Sequence, residues 1–295
     1  PDQCFPDTFL ARRHRHLPVF LCLAVAVIMP VPGRVCNSIQ GGNRHGFQID
    51  RPGMIALQPR EPAGPLAIGE RRVNREGVLP HSTLIIFDID GTLLQSQRVT
   101  VPAIREVFRA YGLKAPEEEA IRQTFGLPVQ AYEAWLASLC PPRKAAHIVE
   151  AVNDRELELI ATAGTLFPGA LEALQALKRA GHALATCTNA SVPYLARVLN
   201  ELGLRKYFQI NACIGHGFAD KTAMVRHIMN TILLRPAAVV GDRASDIDAA
   251  RANGAYAIAA DYGYGGETEL QHADAHARTA ADIVDIIARL AGTPR

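Results

Sequence analysis

Residues 85–94 read Ile85-Ile86-Phe87-Asp88-Ile89-Asp90-Gly91-Thr92-Leu93-Leu94, so a short apolar run ends on two closely spaced carboxylates. The run predicts a buried strand at about 83–87, because strands of a parallel sheet are apolar on both faces. Gly91 allows a sharp turn, so Asp88 and Asp90 are expected to face one small volume where open α/β sheets bind ligands. Carboxylates this close repel each other unless a cation or a shared proton compensates. A bound Mg²⁺ and one protonated acid would resolve the conflict, and phosphoryl transfer uses both.

The composition is that of a globular protein, with 48% apolar and 20% charged residues in a chain of 295. The net charge of +2 is uneven, because residues 1–80 carry ten Arg, no Lys and six acids, whereas residues 81–295 carry 21 basic and 23 acidic groups. The body of the chain is therefore slightly acidic, and no nucleic-acid partner is expected. The six cysteines form no C-x-x-C pair and are interpreted as isolated thiols.

Residues 1–81 are rich in Pro, Gly and Arg and are predicted to be an N-terminal extension, disordered or spurious, upstream of the real start. Within them, Arg12, Arg13 and Arg15 precede the apolar run Leu17–Met29, which is the order found in a signal peptide. That run is too short for a comfortable membrane span, so no stable membrane association is expected. The expected location is the cytoplasm, with export as the alternative if residues 12–36 act as a signal peptide.

From about residue 101 to 163 the pattern is helical throughout, with apolar side chains such as Ile104, Val107 and Phe108 recurring three and four positions apart. Pro141-Pro142 separates two predicted helices, at about 129–139 and 143–160. An all-helical insertion placed directly after the acidic turn suggests a lid over the site. A plain packing subdomain is the alternative.

Repeated β-α units with Gly punctuation follow from residue 164 onwards. Strands are predicted near 183–187, 209–213, 237–240, 255–260 and 275–277. This order predicts an α/β fold with a doubly wound, Rossmann-like parallel sheet. The core is expected to comprise residues 82–97 and 164–295, interrupted by an all-helical cap domain at 98–163.

Polar side chains stand at three further points where predicted strands end or helices begin. Thr188-Asn189 follows the strand through Cys187, Lys221 begins a helix, and Asp242 and Asp246 follow the strand 237–240. Each group alone has a simpler explanation, as a helix cap, a solvated lysine or acids near a helix N-terminus. Their succession along one α/β pattern favours a single site that binds a cation and a phosphate.

Four segments resemble the motifs of the haloacid-dehalogenase (HAD) superfamily. They are FDIDGTLL at 87–94, ATCTNAS at 185–191, the lysine of FADKTAMVRHIM at 218–229, and VVGDRASDIDAARANG at 239–254. LFPGALEALQALKRAG and YGYGGETEL further resemble the phosphoglycolate phosphatase-like branch, which has a helical C1 cap after the first motif. The resemblance spans about residues 82–290. One position departs from that branch, because Lys221 is followed by Thr222 where the branch often has proline.

The resemblance implies that Asp88 attacks phosphorus and forms an aspartyl-phosphate, which water then hydrolyses. It implies that Asp90 protonates the leaving alcohol and later activates the water. An acid at Asp90 also argues against the dehalogenase and phosphonatase branches, which lack one there.

The resemblance also implies a Mg²⁺ cofactor and the groups that hold the phosphate. Mg²⁺ would sit between Asp88, the backbone carbonyl of Asp90 and Asp242, with Asp246 supporting the cluster. The transferring phosphoryl oxygens would be held by Thr188, Asn189 and Lys221.

Arg122 is the candidate for substrate selection. It precedes a Gly-containing turn, residues 124–128, which is similar to the loop that such caps lower onto the site. Arg122 would pair with a substrate carboxylate or a second phosphate. A surface arginine is the alternative.

The resulting hypothesis is a Mg²⁺-dependent phosphatase that acts on a small phosphorylated metabolite, of the phosphoglycolate or nucleoside monophosphate type. A phosphosugar mutase of the same superfamily is the nearest alternative. A phospho-aspartate receiver-like module, without enzymatic activity, is the alternative from another class, although such modules lack a large helical insertion. The sequence leaves the substrate and the oligomeric state open.

Overall fold

The computed structural model describes residues 82–292. The predictions for residues 1–81, including the extension and the signal-peptide pattern, lie outside the described residues. Within 82–292, no helix has both the length and the apolar character needed to cross a membrane.

Six parallel strands form one sheet in the order β3-β2-β1-β4-β5-β6. Their bounds are β1 Leu84–Phe87, β2 Ala183–Thr188, β3 Ile210–Cys213, β4 Ala237–Gly241, β5 Tyr256–Ala260 and β6 Ala275–Ala277. Strand β1 lies in the middle, with Leu84 opposite Ala183 of β2 on one side and Ala237 of β4 on the other. The order reverses at β1, and this confirms the predicted α/β class with its doubly wound parallel sheet.

Ten helices accompany the sheet in the described part of the chain. They are α1 Gln97–Ala110, α2 Glu118–Arg122, α3 Val129–Ser138, α4 Ala145–Ala163, α5 Ala170–Arg179, α6 Val192–Glu201, α7 Lys221–Thr231, α8 Ala244–Ala252, α9 Glu267–Leu270 and α10 Asp282–Gly292. Helix α4 was expected at about 143–160 and is shifted toward the C-terminus. Lys144 is its N-cap and Gly164 its C-cap. The short helix α2 was not predicted as a separate element.

The two faces of the sheet are covered by different helices, because alternate side chains of a strand point to opposite faces. Ile85 and Phe87 belong to an apolar cluster that includes side chains of α5, α6 and α10. Leu84 and Ile86 belong to a second cluster with side chains of α7 and α8. Strand β1 is therefore fully buried, and the chain that leaves its carboxyl end is firmly placed.

A helical insertion lies between β1 and β2, and it fits a C1 cap. Helices α1 to α4 contribute to an apolar cluster of their own, with buried side chains that include Ile104, Phe108, Ile121, Leu136 and Ile148. Helix α5 instead packs in the first cluster of the sheet, through Leu174 and Leu177. The insertion thus has its own core and is built directly onto the end of β1.

Candidate active site

Asp88 occupies the first position after β1 and is almost completely buried, with 2% of its surface exposed. Its Oδ1 atom lies 2.9 Å from Nζ of Lys221. Its Oδ2 atom is buried and has no hydrogen-bond partner. A buried carboxylate oxygen without a partner is costly, so this atom is placed to meet a ligand.

Three buried carboxylates meet at this end of the sheet. Each of Asp88, Asp242 and Asp246 offers one oxygen atom, and these atoms all lie within 4.8 Å of one another. Burial raises the pKa of all three side chains, that of Asp246 to about 7, and the charge of Asp88 raises the pKa of Asp242 and Asp246 further. This donor set, with an unpartnered oxygen on Asp88, fits a hard divalent cation, because such ions prefer carboxylate oxygens and would offset the repulsion.

Lys221 is the only ammonium group bonded to this triad in residues 82–292. It begins α7, whose N-cap residue Asp220 accepts a hydrogen bond from the backbone N–H of Ala223 at 2.7 Å. Its Nζ atom lies 2.6 Å from Oδ1 of Asp246 and 2.9 Å from Oδ1 of Asp88. Burial lowers the pKa of Lys221, but the two carboxylates outweigh it and raise the pKa overall. The side chain therefore stays charged and fixes both acids.

The glycine-rich loop after β5 holds Asp242. The backbone N–H of Tyr264 donates to Oδ2 of Asp242 at 2.8 Å. A Cβ atom on Gly263 would lie 2.3 Å from Cβ of Asp242, and one on Gly91 would lie 2.1 Å from its Oδ2. Gly91 also has a φ of +82°, which favours glycine. Only glycines allow the two loops to approach Asp242 so closely.

The carboxylate of Asp90 is held outside the triad. Its Oδ1 atom accepts hydrogen bonds from the hydroxyl groups of Ser96, at 2.5 Å, and Tyr194, at 2.8 Å. Burial raises the pKa of Asp90, and the two hydroxyl groups reduce this effect without cancelling it. A carboxyl group with a raised pKa is suited to carry a proton.

The end of β2 supplies Thr188 and Asn189 beside the acids. The hydroxyl oxygen of Thr188 accepts a hydrogen bond from the backbone N–H of Ala190 at 3.2 Å. The side-chain amide of Asn189 donates to the carbonyl oxygen of Gly126, in the insertion, at 2.8 Å. The backbone carbonyl oxygen of Asn189 accepts from the backbone N–H of Val129 at 3.0 Å. Asn189 therefore joins the insertion to the sheet.

The Gly-containing turn 124–128 rests on the sheet at this junction. Gly126 has a φ of +83°, and a Cβ atom there would lie 2.6 Å from Cγ of Arg243. Both facts require glycine, because any other side chain is strained at this φ and collides with the loop that follows β4. The turn thus closes against the end of the sheet.

A cavity of about 780 Å³ opens between the insertion and the sheet. Asp88, Asp90, Thr188 and Asn189 line its floor, and the other lining residues come from the turn 124–128, from α1, α3, α4 and α6, and from the segments that precede α1 and α6. Arg122 is not among its lining residues. Arg122 lines a second cavity, of about 310 Å³, with Arg243 and Tyr264, and its guanidinium lies 5.7 Å from the ring centroid of Tyr264.

The sequence predictions thus fall into two groups. The structure brings together six of the predicted residues, namely Asp88, Asp90, Thr188, Lys221, Asp242 and Asp246, with Asn189 at their edge. It does not bring Arg122 into the large cavity. Ser96 and Tyr194 were missed, because they lie two and three residues beyond the first two motifs and nothing in their spacing points to Asp90.

Glu156 was also missed, although the sequence contains a signal. It is 5% exposed and stands in an apolar stripe of α4 with Val152 and Ile160, each four positions away. Its Oε1 atom accepts a hydrogen bond from the hydroxyl group of Tyr132 at 3.1 Å, and it lines the large cavity. Burial raises its pKa from 4.5 to about 7, while hydrogen bonds from Thr100 and Tyr132 oppose the rise. A lone acid in an apolar helical stripe was the available clue.

We expect a Glu156→Gln change to flatten the pH dependence of stability. Because the folded pKa of about 7 exceeds the ordinary 4.5, the native state binds more protons between these values, and Glu156 increasingly destabilises the fold as pH rises from about 4.5 to 7. This penalty to the free energy of unfolding is absent below pH 4.5. It approaches roughly 3 kcal/mol above pH 7, at about 1.4 kcal/mol per pKa unit. Thermal unfolding with saturating Mg²⁺ should show the stability of the variant rising relative to the wild type between about pH 4.5 and 7, and the difference should stay constant above that range.

Glu158→Gln is the matched control for this measurement, because Glu158 is exposed, stands on the same helix and pairs with Arg155 at 2.6 Å. Arg155 keeps a second partner, Glu106, at 2.7 Å. The control should follow the wild type at every pH. If the stability of Glu156→Gln and of the wild type changed with pH in the same way, the raised pKa of Glu156 would be contradicted.

Comparison with known proteins agrees with this geometry. A family model described as haloacid dehalogenase-like hydrolase matches residues 83–254, and a HAD-hydrolase-like model matches residues 220–289. A phosphoglycolate phosphatase of Mesorhizobium japonicum is 30% identical over 192 residues, which cover 61% of this chain and 83% of that protein.

Two solved structures share the fold. CbbY from Rhodobacter sphaeroides, in complex with phosphate, is 26% identical with a TM-score of 0.58 and covers 68% of this chain and 95% of its own. A haloacid dehalogenase-like family protein from Streptococcus pneumoniae is 22% identical with a TM-score of 0.61 and covers 70% of this chain and 98% of its own. The first family model alone spans more than half of the sequence. The chain therefore belongs to the haloacid dehalogenase-like hydrolases, a family of phosphatases.

Proposed function

We propose that this protein is a Mg²⁺-dependent phosphatase that hydrolyses a small phosphomonoester through an aspartyl-phosphate on Asp88. The observation that carries the proposal is the unpartnered, buried Oδ2 atom of Asp88, which stands on the floor of the large cavity beside Lys221 and two further acids. Such an atom is a carboxylate oxygen ready to bond to a ligand or an electrophile.

Asp88 and Asp90 have different roles in this proposal. A carboxylate oxygen of Asp88 forms the new bond to phosphorus, while the bond from phosphorus to the substrate alcohol breaks. Asp90 gives its proton to the departing alkoxide and later takes one from the water that cleaves the acyl phosphate. Ser96 and Tyr194 hold the Asp90 carboxyl in place for both transfers.

The metal would be held by Asp88, Asp242 and the backbone carbonyl of Asp90, with Asp246 as a supporting ligand. When bound, Mg²⁺ supplies positive charge that neutralises the phosphoryl oxygens. Lys221 keeps Asp88 and Asp246 oriented and adds a charge of its own. Thr188 and Lys221 would donate hydrogen bonds to the phosphoryl group.

Asn189 would also hold the phosphoryl group. A side-chain amide has two N–H donors, and Gly126 takes one of them, so the other is available to the substrate. The carbonyl of Gly126 belongs to the insertion, so substrate binding and closure of the insertion would share this one amide.

We also propose domain boundaries for this chain. Residues 98–163 would form the cap, and residues 82–97 and 164–295 the catalytic core. Opening of the cap would break the contacts of Asn189 with Gly126 and Val129, and closure would exclude water from Asp88. The name of the Mesorhizobium relative makes phosphoglycolate one candidate substrate.

Release of inorganic phosphate from a panel of small phosphate esters tests the proposal. We expect turnover with Mg²⁺, loss of turnover when EDTA is added, and recovery when Mg²⁺ is restored, because the triad needs a divalent cation. Product analysis with hexose phosphates separates hydrolysis from a mutase reaction, since a mutase returns the phosphate to the sugar. Failure to cleave any ester, or turnover that EDTA leaves unchanged, would refute the proposal.

A further inference from the structure

The part of the large cavity that is lined by the insertion has an unusual charge. Among the described residues, no Lys, Arg or His lines this cavity, whereas Glu133, Glu150, Asp154 and Glu156 of the insertion do. Glu133 is half-buried on α3, and its Oε1 atom accepts from the side-chain amide of Asn153 at 2.8 Å. The part of the cavity lined by the insertion is therefore acidic through Glu133, Glu150 and Asp154, whereas Glu156, whose pKa is raised to about 7, is only partly ionised at neutral pH.

Apolar side chains line the same cavity. They come from α3, α4, α6 and the turn before α3, and include Phe125, Leu127, Val149, Leu157 and Tyr194. An apolar wall lowers the local dielectric, so a charge bound in the cavity interacts more strongly with the half-buried Glu133 than with the exposed Glu150 and Asp154. The sign of the acidic groups therefore matters for any molecule bound there.

The cationic side chains near the site either pair with acids or lie outside the large cavity. Lys221 pairs with Asp88 and Asp246 beneath the cavity. Arg122 and Arg243 line the separate smaller cavity, where Nε of Arg243 pairs with Glu269 at 2.9 Å. His147, which lies 3.9 Å from Glu150, does not line the large cavity. A carboxylate or second phosphate on the substrate would therefore meet like charges on the insertion and, among the described residues, no cationic partner in this cavity.

The end of the cavity that would bind phosphate is identified by an observation that does not involve the acids of the insertion. Asp88 is 2% exposed, lines the cavity and has a buried oxygen without any hydrogen-bond partner. A phosphoryl group bound there places the leaving alcohol beside Asp90 and the rest of the substrate toward α3 and α4. A bound substrate would therefore have its phosphoryl group at Asp88 and its alcohol portion in the acidic part of the cavity.

We propose that the substrate is the phosphate ester of an amino alcohol, with an apolar spacer and an ammonium group that faces Glu133 and Asp154. This inference rests on the proposed phosphatase activity and specifies its substrate class. It excludes phosphoglycolate and sugar bisphosphates as preferred substrates, because both carry a second negative charge into the acidic part of the cavity.

Three benzyl phosphates that differ only in the para substituent test the proposal: aminomethyl, hydroxymethyl and carboxylate. The reacting centre and the size are nearly the same in all three, so differences in kcat/KM report the charge of the leaving group. We expect the aminomethyl ester to exceed the carboxylate ester by at least about tenfold in kcat/KM, with the hydroxymethyl ester between them. A smaller ratio, or a preference for the carboxylate, overturns the inference.

Charge-removing variants show whether the acids of the insertion are responsible. The double variant Glu133→Gln/Asp154→Asn should reduce the ratio between the aminomethyl and carboxylate esters by about fivefold or more. Glu158→Gln removes one charge from α4 outside the cavity and should leave the ratio and the activity unchanged. An unchanged ratio in the double variant overturns the assignment to these side chains.

The outcome also separates this inference from the proposed function. If the hydroxymethyl ester is cleaved in the presence of Mg²⁺ but the ammonium ester is not preferred, the phosphatase activity stands and the substrate class is wrong. If none of the three esters is cleaved and the general ester panel is also inert, both are overturned.

Discussion

An Asp88→Asn change is expected to reduce kcat for phosphate release by roughly 10⁴-fold or more, the scale on which enzymes lose activity with their nucleophile. An amide oxygen is a far weaker nucleophile than a carboxylate oxygen, so the bond to phosphorus would not form. Phosphate release from a chromogenic ester measures the loss. Mass spectrometry of acid-quenched samples should detect a phosphorylated chain in the wild type only.

The fold of this variant should survive. The new amide has the shape of the carboxylate it replaces, its oxygen can still accept from Lys221, and one of three crowded negative charges is removed. The Tm without metal should therefore equal or exceed that of the wild type. Asp248→Asn is the matched control, because it makes the same change at an exposed position of α8. Full activity in Asp88→Asn, or equal losses in both variants, would contradict the mechanism.

A Lys221→Met change is expected to have the largest effect on stability. Met has a similar length but no charge, so Asp88 and Asp246 would lose their shared cation. Removing one partner of a buried ion pair costs about 3–5 kcal/mol. For a domain of this size, the Tm without metal should fall by roughly 6–20 °C, at about 2–4 °C per kcal/mol. Phosphate release should also fall, because Asp88 loses its orientation.

The loss should depend on pH and on metal. Without the ammonium group, the pKa values of the buried acids rise further, so the native state binds more protons and loses stability as pH increases. The difference in Tm between wild type and variant should therefore be larger at pH 8 than at pH 6, and Mg²⁺ should restore part of it. Lys114→Met removes an exposed lysine that lies 3.8 Å from Glu117 and should change nothing. A Tm for Lys221→Met equal to that of the control would refute the role of Lys221.

The central strands were predictable to within a residue or two because their hydrophobic pattern is local. Strand β1 was expected at 83–87 and extends over Leu84–Phe87, and β4 was expected at 237–240 and extends over Ala237–Gly241. An apolar run bounded by polar groups has few alternatives in a parallel sheet. The clustering of the acids at the strand ends was also predictable, because parallel strands bring their carboxyl ends to one edge of the sheet.

The insertion was predictable as helical but not in its contacts. The apolar spacing of 98–163 predicted helices, yet nothing in it indicated that α4 would carry Glu156 into the cavity or that Arg122 would face Tyr264 instead. Helix periodicity identifies which face is buried, whereas the rotation and tilt of one helix against the sheet depend on packing between distant segments. The same reason hid the contact of Tyr194 with Asp90, two residues 104 positions apart.

By itself, the sequence determined the parallel α/β core, the helical insertion and the acids at the end of β1, because strand burial and glycine turns act over a few residues. Only the tertiary structure decided the partners of those acids and the character of the space above them. Lys221 meets Asp88 and Asp246 because α7 and α8 pack on the same face of the sheet. The acidic lining of the cavity comes from side chains of α3 and α4, and the charge of a cavity depends on which side chains converge there.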